Sequence, residues 1–133
     1  MTGIGNSRSI LIVDDEPSVA DTLFVIFSKS GYQARVAYSA EEAIEIIAQW
    51  QPELAILDVM LPRMNGIDLA IVLQQNYPSC QLLLFSGHHS TQDLLEEASK
   101  KGYIFNILAK PVHPALMLDT VSHLLSTHPK RRA

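Results

Sequence analysis

The sequence predicts an α/β fold, a doubly wound parallel sheet with helices on both faces. Three observations predict it. Five short apolar runs alternate with five amphipathic stretches, the order that places a helix between successive parallel strands. The clearest runs, SILIV (9–13), LAILDV (54–59) and QLLLF (81–85), are apolar almost without interruption, as strands covered on both faces are. The chain has 133 residues, 47% of them apolar and 18% charged, which suits one domain with its own core.

Residues 1–8 (MTGIGNSR) are small and polar and are expected to form a flexible leader. The first strand, 9–13, is stopped by Asp14, Asp15 and Glu16. Pro17 suits the first turn of a helix. In that helix Val19, Leu23, Ile26 and Phe27 recur at helical spacing, and Gly31 is placed to end it. Ala34 to Ala37 is a short second strand. Ser39 and Glu42 make a capping box for a second helix carrying Ala43, Ile46, Ile47 and Trp50, which Pro52 ends. The third strand, 54–59, again brings an acid to its C-terminal end. Asn65 and Gly66 open a third helix and Pro78 closes it. Strand four, 81–85, leads into Ser86 and Gly87. A fourth helix is expected from Ser90 to Lys101, a fifth strand from Tyr103 to Leu108, and a fifth helix from about Pro114 to Ser126. The folded domain therefore covers 9–127, with a basic tail at 128–133 that reads as a solvated end or the start of a linker.

Charge and cysteine content exclude several classes. Ten basic and fourteen acidic residues give a net charge of −4, and three of the basics sit together at Lys130, Arg131 and Arg132. The body is thus more acidic than the net figure, a poor nucleic-acid binder by itself, and it contains nothing resembling a helix-turn-helix. The one cysteine, Cys80, rules out an internal disulfide and a cysteine-cluster zinc site. It reads as packed rather than reactive. No apolar run approaches the ~18 residues of a membrane span, and the first run meets acids too soon to be a signal-peptide core. A cytoplasmic protein without membrane contact is the expectation.

In sheets of this kind ligands bind beyond the carboxyl ends of the strands, where strand order reverses. Strand one delivers Asp14 and Asp15 there, strand three Asp58, strand four Ser86 and strand five Lys110. In a sheet ordered 2-1-3-4-5, strands one and three are neighbours and three carboxylates meet. Two like charges ~5 Å apart repel by ~3 kcal/mol at an effective dielectric near 20. A divalent hard cation such as Mg²⁺ and the Lys110 ammonium are the two charges that resolve this. With a carboxylate nucleophile and a hydroxyl, the set suits an aspartyl-phosphate site: Asp58 phosphorylated, with Mg²⁺, Lys110 and Ser86 each on one phosphoryl oxygen.

The fragments DDEP (14–17), LDVMLPRMNG (57–66), LLFSG (83–87) and AKPV (109–112) together resemble the receiver domain of two-component response regulators, of the chemotaxis-regulator kind. The resemblance spans roughly 9–127. It implies the flavodoxin-like (βα)5 fold, with Asp58 as phosphoacceptor. It implies Asp14, Asp15 and Asp58 as Mg²⁺ ligands, directly or through water, with the Met60 carbonyl as a further one. Ser86 would be the switch hydroxyl and Lys110 the phosphate-binding lysine. Pro62 and Gly66 match the family's turn after the phosphoacceptor, and Lys110–Pro111 matches a peptide bond that is usually cis. The implied role is a signalling switch that catalyses only its own phosphoryl transfer and hydrolysis. Its implied partner is a histidine kinase or phosphotransfer protein.

The same resemblance implies docking or two-fold self-association through helix four, strand five and helix five, with Leu94, Leu95 and Tyr103 as candidates for that face. The sequence departs from the family at Ile107, where a Tyr or Phe commonly precedes the lysine by three residues; the aromatics here are Tyr103 and Phe105. The interval from Ser86 to Lys110 is also longer than usual, through a bulge in strand five or a longer loop before it. His88, two residues past the hydroxyl, would share the phosphate rim with Met60, whereas His113, His123 and His128 read as surface or end residues of helix five. Two other chemistries share elements of this pattern. An FMN site wants a Ser/Thr/Gly-rich cradle after strand one, where this chain has DDEPS. A haloacid-dehalogenase-type phosphatase wants its nucleophile in a DxD pair there, where these acids are adjacent. A receiver that only binds partners without phosphorylation is the third alternative.

Overall fold

The computed structural model describes residues 8–87 and 91–127. Ten elements alternate in the expected order: β1 (Ser9–Val13), α1 (Pro17–Lys29), β2 (Gln33–Ala37), α2 (Ala40–Gln49), β3 (Leu54–Asp58), α3 (Gly66–Asn76), β4 (Gln81–Ser86), α4 (Thr91–Lys100), β5 (Asn106–Ala109) and α5 (Pro114–Thr127). The strands form one parallel sheet in the order β2-β1-β3-β4-β5. Its two faces carry separate cores. Ile10, Ile12, Leu54, Ile56, Leu83 and Phe85 pack under α1 and α5 through Leu23, Phe27, Met117 and Val121. Leu11, Val13, Ala55, Leu57, Leu82 and Leu84 pack under α2, α3 and α4 through Ile47, Leu69, Leu73 and Ala98. The alternation along each strand is the period-two rule applied to a sheet buried on both sides.

The ends of the elements follow local chemistry. Pro17 stands in the first turn of α1. Gly31, at φ 97°, follows its last turn. There Gly31 N–H donates to Ser28 O and Tyr32 N–H to Phe27 O, both at 3.1 Å, and the Phe27 and Tyr32 rings meet edge-on at 5.4 Å, the pattern of a Schellman cap. Arg8, the last residue of the expected leader, is held as well: its carbonyl accepts from Gln33 N–H, and its guanidinium pairs with Glu53.

The capping box of α2 forms in a variant way. Ser39 Oγ accepts from Glu42 N–H at 3.1 Å, but the Glu42 carboxylate takes the N–H of Tyr38, one residue upstream of the cap, at 2.6 Å. Ser39→Ala is expected to lower stability by about 1 kcal/mol. The check is a lower urea midpoint at unchanged slope, with Ser39→Gly losing only a fraction of that.

Strand five is where the sequence reading needs correction. It was expected from Tyr103 but pairs with β4 only from Asn106, opposite Leu83. Residues before it are engaged in ending α4. Gly102, at φ 94°, and Tyr103 donate to Ser99 O and Ala98 O, both at 2.9 Å, so Tyr103 is a helix-capping residue and 103–105 is loop. The β4–β5 register runs unbroken from Leu83–Asn106 to Ser86–Ala109, so the extra length between Ser86 and Lys110 is not a bulge in β5. Tyr103 and Phe105 stack at 6.4 Å, and Tyr103 OH accepts a hydrogen bond from Gln75 of α3 at 2.7 Å.

Candidate phosphoryl site at the carboxyl edge of the sheet

Strand parity decides which side chains reach the site. Ile12 of β1 and Ile56 of β3 face α1 and α5, so Asp14 and Asp58, two residues further on each strand, fall on the same side of the sheet edge. Val13 pairs with Leu57, which sets the two carboxylates side by side. Phe85 is the register partner of Asp58, and Leu108 of Phe85. Lys110 follows Leu108 by two residues and returns to this face. Carboxylate oxygens of Asp14, Asp15 and Asp58 lie within 4.8 Å of one another, and Lys110 Nζ stands 3.4 Å from Asp58 Oδ2 and 3.6 Å from Asp14 Oδ2. Asp15, Glu16, Asp58, Met60, Gly87 and Lys110 line an open cleft of about 490 Å³.

The acids differ in environment. Asp14 is fully buried; its Oδ1 accepts from Glu16 N–H at 2.9 Å, while Oδ2 has no hydrogen-bond partner. Burial, and then the Asp58 and Asp15 charges, raise its pKa to about 6 against the opposing pull of the Glu16 N–H and Lys110. Asp58 is also buried and its pKa is raised, chiefly by desolvation, with Lys110 and the Met60 N–H at 3.2 Å from Oδ1 opposing. Asp15 is exposed at the mouth.

A backbone frame fixes the rest. Gly66 N–H donates to Val59 O at 2.8 Å and Val59 N–H to Phe85 O at 3.1 Å. Between them Arg63, after Pro62, takes the left-handed φ of 63°, as the third residue of a proline-led turn does. Lys110 N–H donates to Ser86 O at 3.0 Å, and the Lys110–Pro111 bond is cis, as the resemblance implied. Ser86 is buried at the end of β4, and Met60 is 40% exposed on the rim. Asp14, Asp15, Asp58, Met60 and Lys110 thus stand around one cleft edge, and Ser86 ends β4 next to Gly87, which lines the cleft. His88 and His89, His128 and the Lys130–Arg132 tail lie outside the described residues. Cys80 is buried, and burial pushes its thiol up to about 12, so it stays protonated. His113 immediately precedes α5, its Nδ1 accepting from Ala115 N–H at 3.1 Å.

Residues 10–122 match the response regulator receiver domain family. The chain belongs to that family. It is 30% identical over 128 residues to the nitrogen assimilation regulatory protein NtrX of Azorhizobium caulinodans, which covers 95% of this chain and 28% of NtrX. It is 40% identical over 67 residues to the DNA-binding response regulator MtrA of Mycolicibacterium smegmatis, half of this chain and 29% of MtrA. Among solved structures, a CheY-like receiver domain protein from Methanospirillum hungatei superposes with a TM-score of 0.83 at 26% identity, covering 92% of this chain and 96% of that one. The chain spans between 28% and 56% of the length of these curated relatives and of the activator ExaE of Pseudomonas putida.

This receiver domain is of the kind that two-component response regulators carry, and its architecture is consistent with phosphoacceptor function. Family membership displaces the FMN-binding and dehalogenase-type readings. Receiver domains work with histidine kinases or phosphotransfer proteins and generally bind Mg²⁺, and the three-acid cluster is a group that could hold a metal ion. No helix among the described residues is long and apolar enough to cross a membrane.

Proposed function

We propose that Asp58 is the phosphoacceptor of this receiver. A carboxylate oxygen of Asp58 attacks the phosphorus of a phosphohistidine on the partner; the P–N bond breaks and its electron pair leaves with the imidazole. Hydrolysis of the resulting acyl phosphate returns the carboxylate. Asp14, Asp15 and Asp58, with the Met60 carbonyl, are the proposed Mg²⁺ ligands, and the ion supplies positive charge for the phosphoryl oxygens. Lys110 supplies the second positive charge and Ser86 a hydroxyl that follows the phosphoryl group, biasing the domain between two states. The observation that carries this reading is the buried Asp14 oxygen without a hydrogen bond, beside two more carboxylates and one ammonium. Such a group tolerates burial when it is neutralised by a proton or faces enough positive charge, and here one ammonium faces three carboxylates.

The experiment is incubation with acetyl phosphate and Mg²⁺ followed by intact-mass measurement. A gain of one phosphoryl group is expected, absent in Asp58→Asn and in EDTA. An unmodified wild-type chain would leave a receiver that only binds partners.

For the output surface we propose the α4–β5–α5 side, whether for a partner or for a second copy. The apolar groups open to solvent there are Ile104, 83% exposed, and Leu116, 52% exposed. Leu94, Leu95 and Tyr103, the residues expected from sequence, are instead half-buried against the α2–α3–α4 core.

A further inference from the structure

Lys110 is held by more than its carboxylates. Its Nζ lies 4.7 Å from the ring centroid of Phe85, within the ~6 Å over which a ring face attracts a cation. Phe85 is 2% exposed and precedes Ser86 on β4, so neighbours on all sides fix its ring. Gly87 flanks the lysine stem: a Cβ there would lie 3.4 Å from Lys110 Cβ and 4.0 Å from Cδ. The stem and the ring both line a second, largely apolar cleft with Val19, Leu23, Val112 and Met117. Lys110 lines the acidic cleft as well and so stands between the two. The ammonium stands 3.4 and 3.6 Å from the nearest oxygens of Asp58 and Asp14, longer than the ~2.7–2.9 Å of a close charge-assisted hydrogen bond. The ammonium is shared between the two carboxylates and not closed onto one of them.

We propose that Phe85 is a positioning residue for phosphoryl transfer: its ring face seats the Lys110 ammonium between Asp14 and Asp58, so that Asp58 remains open to attack phosphorus. The proposal rests on the reading of Asp58 and Lys110 given above. A lysine ammonium is a compact charge on a flexible stem. Without the ring it closes onto an Asp58 oxygen, covering the nucleophile and leaving its own place beside the incoming phosphoryl group.

The test uses two substitutions in the full chain at saturating Mg²⁺. Phe85→Leu removes the ring; pentafluorophenylalanine at position 85 keeps the ring shape and cancels the attraction of its face. Phosphorylation by acetyl phosphate, followed by intact mass, is expected to slow by about two- to tenfold in both, the range a partly desolvated cation–π contact accounts for, with Mg²⁺ affinity unchanged. In the wild type the Lys110 Hε resonances should be displaced upfield by the ring current, and return in Phe85→Leu. A wild-type rate in the pentafluoro variant overturns the proposal whatever Phe85→Leu does. So do undisplaced Lys110 Hε resonances in the wild type. Either result leaves Asp58 as phosphoacceptor standing, since that reading fails only if the wild-type chain gains no mass or Asp58→Asn still gains it.

Discussion

Gly66→Ala is expected to unseat the phosphoacceptor. A Cβ on Gly66 would lie 2.1 Å from the Asp58 carbonyl oxygen and 2.8 Å from both Asp58 C and Val59 Cα. All three are backbone atoms of β3 and its exit, so no side chain can swing aside. The pressure is steric rather than conformational, because Gly66 does not have a positive φ. Either α3 moves outward and loses the 2.8 Å bond from Gly66 N–H to Val59 O, or the end of β3 moves. Overpacking a well-filled site costs about 1–3 kcal/mol, and the upper end applies where the obstacle is a strand inside a sheet. A displacement of about 1 Å at a reacting group lowers rate by roughly 100-fold. Urea denaturation should show a loss near 3 kcal/mol, and acetyl phosphate labelling should fall far more than stability alone explains. A folded Gly66→Ala protein labelled at the wild-type rate would show that the helix start does not set the position of Asp58.

The strands and the position of the acids were legible because both follow from burial. A strand covered on two faces must be apolar, and an acid at its end has left the core. Asp14, Asp58 and Lys110 could therefore be placed at one edge from the alternation of elements alone. Phe85 could not, since in the sequence it is one more apolar residue of QLLLF. Its contact with Lys110 depends on register across β3, β4 and β5, which periodicity does not carry. The start of β5 was misplaced for a related reason. Tyr103 and Phe105 have strand-forming side chains, yet the left-handed Gly102 commits Tyr103 to closing α4. Leu94 and Leu95 were assigned to a docking face through the family resemblance, whereas the narrow apolar stripe of α4 turns inward over Ala98.

Asp14→Asn is expected to stabilise the metal-free protein and to abolish its response to Mg²⁺. The folded-state pKa of Asp14 is raised from 3.8 to about 6. Below pH 4 the carboxyl is protonated in both folded and unfolded chains and contributes nothing to the difference. As pH rises from 4 to 6 the unfolded chain releases its proton first, so stability falls; above 6 the full penalty is in place. Two pKa units correspond to roughly 3 kcal/mol, an upper figure, since neighbouring charges share it. The raised pKa of Asp58 acts in the same direction. Asn keeps an oxygen for the Glu16 N–H and removes the buried charge. In EDTA, then, the variant should unfold at a higher urea concentration than wild type at pH 7, with the gap closing towards pH 4. Excess Mg²⁺ should reverse the order. A ligand at about 1,000 times its dissociation constant stabilises the wild type by roughly 4.1 kcal/mol, more than the penalty, while the variant, short of one carboxylate, gains little. Equal Mg²⁺ stabilisation of the two proteins would remove Asp14 from the ion's ligands. A wild-type protein whose metal-free stability does not fall between pH 4 and 6 would mean that the buried carboxylate is already satisfied without a metal ion.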